Sequence, residues 1–181
     1  LTVAQITIFL SSPRSVTPYH FDHESNFLCQ IQGRKQVCVF EPDVGGVVPY
    51  PAVERFYCGD LNSVDYQAEQ ESSGRLFDLT PGYAVHHPPL APHWVKNGDA
   101  VSVSASFNLC LKDIDRRAHV FQMNYYLRKL GIRPAPPGTS AVRDALKAGL
   151  LEALGSSNPR SPDEAVSSGL DRLRQPVYAM R

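Results

Sequence analysis

Residues 15–37, SVTPYHFDHESNFLCQIQGRKQV, decide how the rest of the chain is interpreted. They combine strand-like residues with several charged or titratable ones, among them His20, Asp22 and Lys35. In a strand, residues i and i+2 point to the same face, so the imidazole of His20 and the carboxylate of Asp22 lie side by side. Such a pair can begin a metal site, but a lone HxD is frequent by chance and a lone histidine is more often a hydrogen-bonded core residue. A third ligand decides the matter.

The third ligand is expected in residues 80–99, TPGYAVHHPPLAPHWVKNGD, where His86, His87 and His93 compete. His93 begins the strand-like HWV just after a rigid Pro-Pro turn, a position that holds a ligand well, so we favour it over His87. Two histidines and one carboxylate leave three positions of an octahedral ion open, as in non-haem Fe(II) oxygenases. His86 and His87 remain open as pocket or surface residues. The other histidines are interpreted as ordinary exposed or helix-face residues: His23 and His119.

Strand periodicity extends to about residue 110, in QITIF, NFLCQI, QVCVF, RLFDL and VSVSASF, each bounded by Gly or Pro turns. The last of these strands alternates: one face carries Ser102, Ser104, Ser106 and Asn108. A polar face suits a wet ligand pocket, but an ordinary half-exposed strand explains it equally well. Residues 42–73 form a long insertion, rich in turn formers, with no recognisable substrate motif.

After residue 110 the pattern becomes helical. The first predicted helix, in KDIDRRAHVFQMNYYLRKLG, has apolar residues at helical spacing: Ile114, Ala118, Phe121 and Tyr125. A Pro/Gly linker leads to a second, whose apolar stripe is Val142, Leu146, Leu150 and Leu154. SPDE at 161–164 predicts a third short helix through an N-cap Ser and a capping box. We therefore predict a β domain over 1–110, incomplete at its N-terminus, and a helical region over 111–181.

Composition excludes several classes of protein. The 181 residues carry 18 basic and 18 acidic side chains, so the positive field of a nucleic-acid binder is missing. No apolar run is long enough for a membrane span, and the first residues lack the basic start of a signal peptide.

The four cysteines, Cys29, Cys38, Cys58 and Cys110, lack zinc-site spacing and favour buried free thiols in a reducing cytoplasm. A disulfide between Cys29 and Cys38 stays open, because a two-residue hairpin at Gly33 and Arg34 would place them opposite each other.

The motifs TPYHFDHESNFLCQIQGRK, PPxxPHWV and SxSFN together resemble the JmjC-type cupin hydroxylases. The similarity covers roughly residues 3–110 and is strongest to the branch that contains the asparaginyl hydroxylase factor inhibiting HIF. It implies a double-stranded β-helix, which is a jelly roll, that holds Fe(II) and 2-oxoglutarate and uses O2. The resemblance places the metal ligands at His20, Asp22 and His93.

The resemblance also implies how the co-substrate is bound. The lysine and threonine that hold the distal carboxylate of 2-oxoglutarate fall on Lys35 and Thr17, and asparagines lining the pocket fall on Asn26 and Asn108. A lysine inside a barrel is costly without an anion, so a keto acid chelating iron at one end would supply the partner. The alternative is a lysine on the solvent face of an edge strand.

The expected function is therefore an Fe(II)- and 2-oxoglutarate-dependent oxygenase, either a hydroxylase or a demethylase. The sequence does not identify its substrate, for which a protein side chain is one candidate. Two other functions stay open: a non-catalytic cupin-like sensor of a small acid, and a cupin with Zn or Mn in isomerase or hydrolase chemistry. The C-terminal helices of similar proteins form two-fold dimers, so we expect a homodimer that binds neither nucleic acid nor membrane.

Overall fold

The computed structural model describes residues 3–61, 63–66, 72–110 and 112–154. Eight strands occupy the following residues: β1 Val3–Ser11, β2 Val16–His20, β3 Ser25–Gln32, β4 Lys35–Val39, β5 Arg75–Leu79, β6 Ala84–His87, β7 His93–Asn97 and β8 Ser102–Cys110. Three helices are described: α1 Tyr50–Phe56, α2 Lys112–Lys129 and α3 Ala141–Leu154. The mainly β fold followed by helices, predicted from the periodicity, is confirmed.

The strands form two four-stranded antiparallel sheets, in the orders β1-β8-β3-β6 and β2-β7-β4-β5. We call the second of them, β2-β7-β4-β5, the ligand sheet. The chain passes from one sheet to the other at every connection except that between β4 and β5, as in a jelly roll. Their inner faces meet in an apolar core contributed by both sheets: Leu28, Val37, Leu79, Val85 and Val95. This arrangement confirms the jelly-roll prediction.

The inner face of β8 is polar and buried. Ser102 and Ser104 are 0% exposed, and both bind the side chain of Gln30, which is also buried. The Gln30 amide donates to Ser102 Oγ at 2.9 Å, and Ser104 Oγ donates to Gln30 Oε1 at 2.7 Å. Because these partners satisfy one another, polar side chains are tolerated inside the barrel. The interpretation of this strand as an ordinary half-exposed one is therefore wrong.

The turn after β3 carries the chain from one sheet to the other. Gly33 has φ +75, and a Cβ there would lie 2.6 Å from the carbonyl oxygen of Val101, so both conformation and space require glycine. Since β3 and β4 belong to different sheets, Cys29 and Cys38 do not face each other across a ladder. All four cysteines are free thiols, and the premise of a hairpin disulfide is wrong.

The described residues divide into two compact units, one within 1–48 and 64–111 and the other within 49–63 and 112–181. The second unit thus includes α1, which lies in the insertion and was not predicted. Prolines at 49 and 51 lie at its N-terminal end, and their turn character outweighs the pattern of a helix of only seven residues. The division into 1–110 and 111–181 remains a prediction.

In the second unit, α2 matches the predicted helix. Ala118 and Phe121 are fully buried, and Gly131 follows the helix with φ +80, as its C-terminal signature predicts. The buried carboxylate of Glu54 on α1 accepts a hydrogen bond of 2.6 Å from Arg128 Nε on α2. These contacts join the two helices through both apolar packing and one ion pair.

The predicted second helix, α3, exposes its apolar stripe. Val142, Leu146 and Leu150 are 70%, 68% and 51% exposed, whereas Ala148 is buried. The third predicted helix at 161–164 and the tail lie outside the described residues. Within the ranges that the structure describes, no helix has both the length and the apolar character needed to cross a membrane.

Candidate metal centre

Pairing of β2 with β7 brings two distant histidines together. His20 is the last residue of β2 and lies directly opposite His93, the first residue of β7. A register shift between Thr17 and His20 adjusts this end of the ladder. Asp22 follows two residues after His20, beyond the buried Phe21. Residues 73 positions apart in sequence thus meet because an antiparallel ladder aligns a strand end with a strand start.

The three side chains lie close enough together to hold one metal ion. Asp22 Oδ2 lies 3.9 Å from His20 Nε2 and 3.7 Å from His93 Nε2, and the three potential ligand atoms all lie within 4.8 Å of one another. Ligand atoms that surround one ion at about 2.1 Å and at right angles are about 3 Å apart. The two distances from Asp22 Oδ2 to the histidine Nε2 atoms would therefore each shorten by about 1 Å around an ion.

Backbone carbonyls set the tautomers of both histidines. His20 Nδ1 donates to the carbonyl oxygen of Pro18 at 2.7 Å, and His93 Nδ1 donates to that of Ala91 at 3.0 Å. A proton on each Nδ1 leaves the Nε2 lone pairs directed at Asp22. Metal-binding histidines usually make this kind of hydrogen bond with the other ring nitrogen.

Electrostatics also keeps His93 neutral. Burial, with the nearby His20 imidazole as the second cause, lowers the pKa of His93 from 6.5 to about 3. The donor set at neutral pH is therefore an uncharged, buried imidazole, a half-buried His20 and a carboxylate that is 41% exposed. Two imidazoles and one carboxylate fit a divalent first-row ion with open positions for further ligands.

The two histidines that competed with His93 have different environments. His87 is buried and its ring stacks on that of His93, with centroids 4.2 Å apart and planes 11° apart. His86 faces the opposite side of the sheet, where it stacks on Phe27 and its Nε2 lies 2.9 Å from Ser25 Oγ. Alternation along β6 could have predicted this, because His87 shares its face with the apolar Val85. Sequence reasoning did not assign His87 to the interior.

His23 is also placed differently from the sequence interpretation. It is 1% exposed, and its Nδ1 lies 3.3 Å from Glu24 Oε2. His23 directly follows Asp22 and is buried. Its interpretation as an exposed histidine is therefore wrong. His119 lies half-buried on α2, in agreement with the expected helix face.

Lys35 lies inside the barrel. It is 5% exposed, and burial lowers its pKa. Among the residues that the structure describes, no carboxylate lies within 4 Å of its ammonium group. A solvent-facing lysine on an edge strand is therefore excluded, since β4 has neighbours on both sides. Burial without a counter-charge is costly, so this position favours an anionic ligand.

Register places Thr17 between the metal ligands and Lys35. Three inner-facing positions follow one another along β7 and pair as follows: His93 with His20, Val95 with Thr17, and Asn97 with Lys35. Residues two apart in a strand are about 6.6 Å apart, so the Lys35 row lies about 13 Å from the His93 row. Thr17 itself is exposed. The potential metal ligands, Thr17 and the buried Lys35 thus follow one another along the ligand sheet.

Asn26 and Asn108 lie on the other sheet, directly opposite each other on β3 and β8. The Asn26 amide donates to Asn108 Oδ1 and to Ser106 Oγ. On its other side Asn26 pairs with His87 of β6. These two asparagines therefore form a polar inner wall that continues to the histidine stacked on His93.

A separate cleft of about 540 Å³ opens at the strand ends around Lys35. It is lined by four basic residues and two acidic ones: Arg14, Arg34, Lys35, Lys96, Asp78 and Asp99. The three potential metal ligands are not part of its lining. The cleft therefore belongs to the Lys35 end of the barrel and is distinct from the group of potential metal ligands.

Comparisons with known proteins agree with this fold. The family model described as Cupin-like domain matches residues 2–111. Among curated proteins, the chain is similar to JmjC domain-containing protein D of Dictyostelium discoideum, with 32% identity over 113 residues, 58% of this chain and 24% of that protein. It is also similar to Jumonji C domain-containing protein 5 of Drosophila melanogaster, with 28% identity over 108 residues, 56% of this chain and 27% of that protein.

Among solved structures, the chain is similar to a cupin superfamily protein of Desulfitobacterium hafniense. The TM-score is 0.38 at 13% identity, over 61% of this chain and 71% of that chain. The chain spans about a quarter of the length of the two curated relatives. Both of those relatives carry JmjC domains in their names.

Proposed function

This chain belongs to the cupin-like domain family, and from that membership and the geometry of its triad we propose that its barrel is an Fe(II)- and 2-oxoglutarate-dependent oxygenase domain. The observation that carries the proposal is the convergence of His20, Asp22 and His93, with both Nε2 atoms turned toward the carboxylate. Two histidines and one carboxylate on one face of an ion are the ligand set of non-haem Fe(II) oxygenases.

In this proposal the chain's own residues hold and orient the reactants. His20, Asp22 and His93 bind the metal, and the carbonyl oxygens behind the imidazoles keep the rings in place. When bound, Fe(II) with 2-oxoglutarate supplies the activation of O2. The balanced reaction converts 2-oxoglutarate, O2 and a C–H bond into succinate, CO2 and a hydroxylated carbon; on an N-methyl group the product would release formaldehyde.

Lys35 and Thr17 would bind the far end of the co-substrate. A buried ammonium group that has no acidic partner among the described residues would bind a carboxylate favourably. In the register along β7, Thr17 lies one row closer to the potential metal ligands than Lys35 does. A dicarboxylic keto acid offers one group to each end of this line. Asn26 and Asn108, on the opposite sheet, would line the pocket between them.

We also propose that the primary substrate is a protein side chain. The motifs shared with the branch of factor inhibiting HIF, and the JmjC domains named in two relatives, favour a protein side chain over a metabolite. Hydroxylation and demethylation share the same oxidation step and differ in the stability of its product.

The test is a stoichiometric measurement. Purified protein loaded with Fe(II) is given 2-oxoglutarate, and succinate is measured with and without O2 and with candidate protein extracts. We expect succinate only when O2 is present, with isotope from labelled O2 in the hydroxylated product. Tight anaerobic binding of 2-oxoglutarate without any succinate in air would instead support the small-acid sensor. Absence of binding would refute both.

A further inference from the structure

One buried polar residue of the barrel has no role in the triad or in the carboxylate end of the proposed pocket. His87, the last residue of β6, is 4% exposed, and its ring lies parallel to that of His93 at 4.2 Å. It interacts electrostatically with all three triad residues, His93, Asp22 and His20. His87 is therefore part of the same pocket, although its nitrogens are not among the clustered ligand atoms.

The Nε2 atom of His87 is buried and, among the residues that the structure describes, has no hydrogen-bond partner. Its neighbour across the ladder, Asn26, likewise has a buried side-chain oxygen without a partner in the described part of the chain. A buried polar atom without a hydrogen-bond partner destabilises the protein, so such atoms usually bind a ligand or a water. Two of them side by side next to a metal site indicate a place for a polar ligand.

The position of His87 suits a second layer around the metal better than a fourth ligand. Parallel stacking places its ring alongside that of His93 rather than pointing at the Asp22 carboxylate. A ligand in an open metal position beside His93 Nε2 would then lie within reach of His87. Packing alone does not explain a histidine here, because an apolar ring would stack equally well and leave no polar atom unpaired.

We propose that His87 is a positioning residue that donates a hydrogen bond from Nε2–H to a carboxylate oxygen of an acid bound at the open metal positions. A carboxylate accepts only, so His87 carries its proton on Nε2 in this arrangement. The inference rests on the metal site of the proposed function, but not on 2-oxoglutarate being the acid. It adds to that site a donor on the sheet opposite Lys35.

The experiment measures binding to the full chain loaded with Co(II), whose visible absorption reports both the metal and its ligands. The probe is oxalate, which needs only two open metal positions and does not depend on Lys35; 2-oxoglutarate is titrated in parallel without O2. The variants are His87→Phe and His87→Leu, which lack the donor, and His87→Gln, which places an amide N–H near Nε2. The matched control is His86→Gln, on the outer face of the same strand.

We expect the Phe and Leu variants to bind oxalate about ten- to a hundredfold more weakly, the loss of one hydrogen bond to a charged group. His87→Gln should recover most of this loss, while His86→Gln and the Co(II) affinity of every variant stay within about threefold of the parent. Two donor-lacking variants guard against one that fails to fold.

Three results would overturn the role of His87. Unchanged oxalate binding in the Phe variant would make His87 a packing residue, loss of Co(II) would make it a ligand, and failure of the parent to bind oxalate would leave no acid to position. The proposed oxygenase function fails separately, if the parent binds oxalate but not 2-oxoglutarate. In that case a His87-dependent oxalate affinity still supports the inference.

Discussion

Replacing Lys35 by Met tests the anion site most directly. The substitution keeps the aliphatic stem, so packing against the interior is retained, but it removes the buried ammonium. In the described residues that ammonium has no acidic partner within 4 Å, and burial already lowers its pKa. A bound dicarboxylate would therefore lose its counter-charge in a partly dry pocket, while the ligand-free protein would lose an unfavourable buried cation.

The two effects have opposite signs. Truncating one partner of a buried, hydrogen-bonded ion pair costs about 2–5 kcal/mol, so the affinity for 2-oxoglutarate should fall by roughly 30-fold to several thousandfold. The ligand-free Lys35→Met protein should unfold at a higher temperature than the parent, since desolvation of a lone cation is removed. Metal affinity should not change, because Lys35 is not a metal ligand.

The assay is calorimetric titration of 2-oxoglutarate into metal-loaded protein without O2, together with thermal unfolding of the ligand-free protein. Lys96→Met is the matched control, because Lys96 is exposed on the neighbouring strand β7. If Lys35→Met binds 2-oxoglutarate as tightly as the parent, the buried lysine does not bind the co-substrate, and the oxygenase proposal loses its anion site.

Four further outcomes are expected. Alanine in place of His20, Asp22 or His93 should abolish metal binding in a Co(II) titration, because two remaining ligands compete poorly with water, whereas His87→Ala should retain it. Thr17→Val should weaken 2-oxoglutarate binding by about 1.5–3 kcal/mol in the same calorimetric assay, the worth of one hydrogen bond to a charged group. The free energy of unfolding of the metal-free protein, measured in urea, should decrease as the pH falls from 6.5 to about 3. In this range His93 binds a proton in the unfolded state but not in the folded state, where its pKa is about 3. The full chain should be a homodimer in light scattering, and truncation after residue 110 should give a monomeric or poorly soluble barrel.

Each of these has a contradicting result. Metal loss in His87→Ala with retention in His93→Ala would reverse the ligand choice, and an unchanged affinity in Thr17→Val would remove the hydroxyl from the co-substrate site. A stability that is flat between pH 6.5 and 3 would mean that the imidazole is accessible to protons. A monomer at micromolar concentration would leave the exposed stripe of α3 without the proposed partner.

Much of the architecture was predictable because it depends on local periodicity. Alternation in β3 and β8, helical spacing in α2 and the Gly and Pro turns between them are short-range patterns that a sequence displays directly. Helix α1 was missed because it has only seven residues and the two prolines at its N-terminal end are typical of a turn. The sequence predicted the apolar stripe of α3 but not its exposure to solvent. A periodic pattern shows which residues share a face of a helix, but not whether another element packs against that face.

Sequence by itself determined the chemical types at the candidate site: an HxD pair at a strand end, a lone lysine fifteen residues later and a distal histidine after a rigid turn. Only the tertiary structure decided which of these meet. The register of β2 against β7 places His93 opposite His20, and the burial of β4 places Lys35 inside without a described acidic partner. The passage at Gly33 separates Cys29 from Cys38, and the pleat of β6 turns His87 inward. Contacts of this kind depend on long-range pairing, in which a shift of one residue reverses every face, so no local pattern contains them.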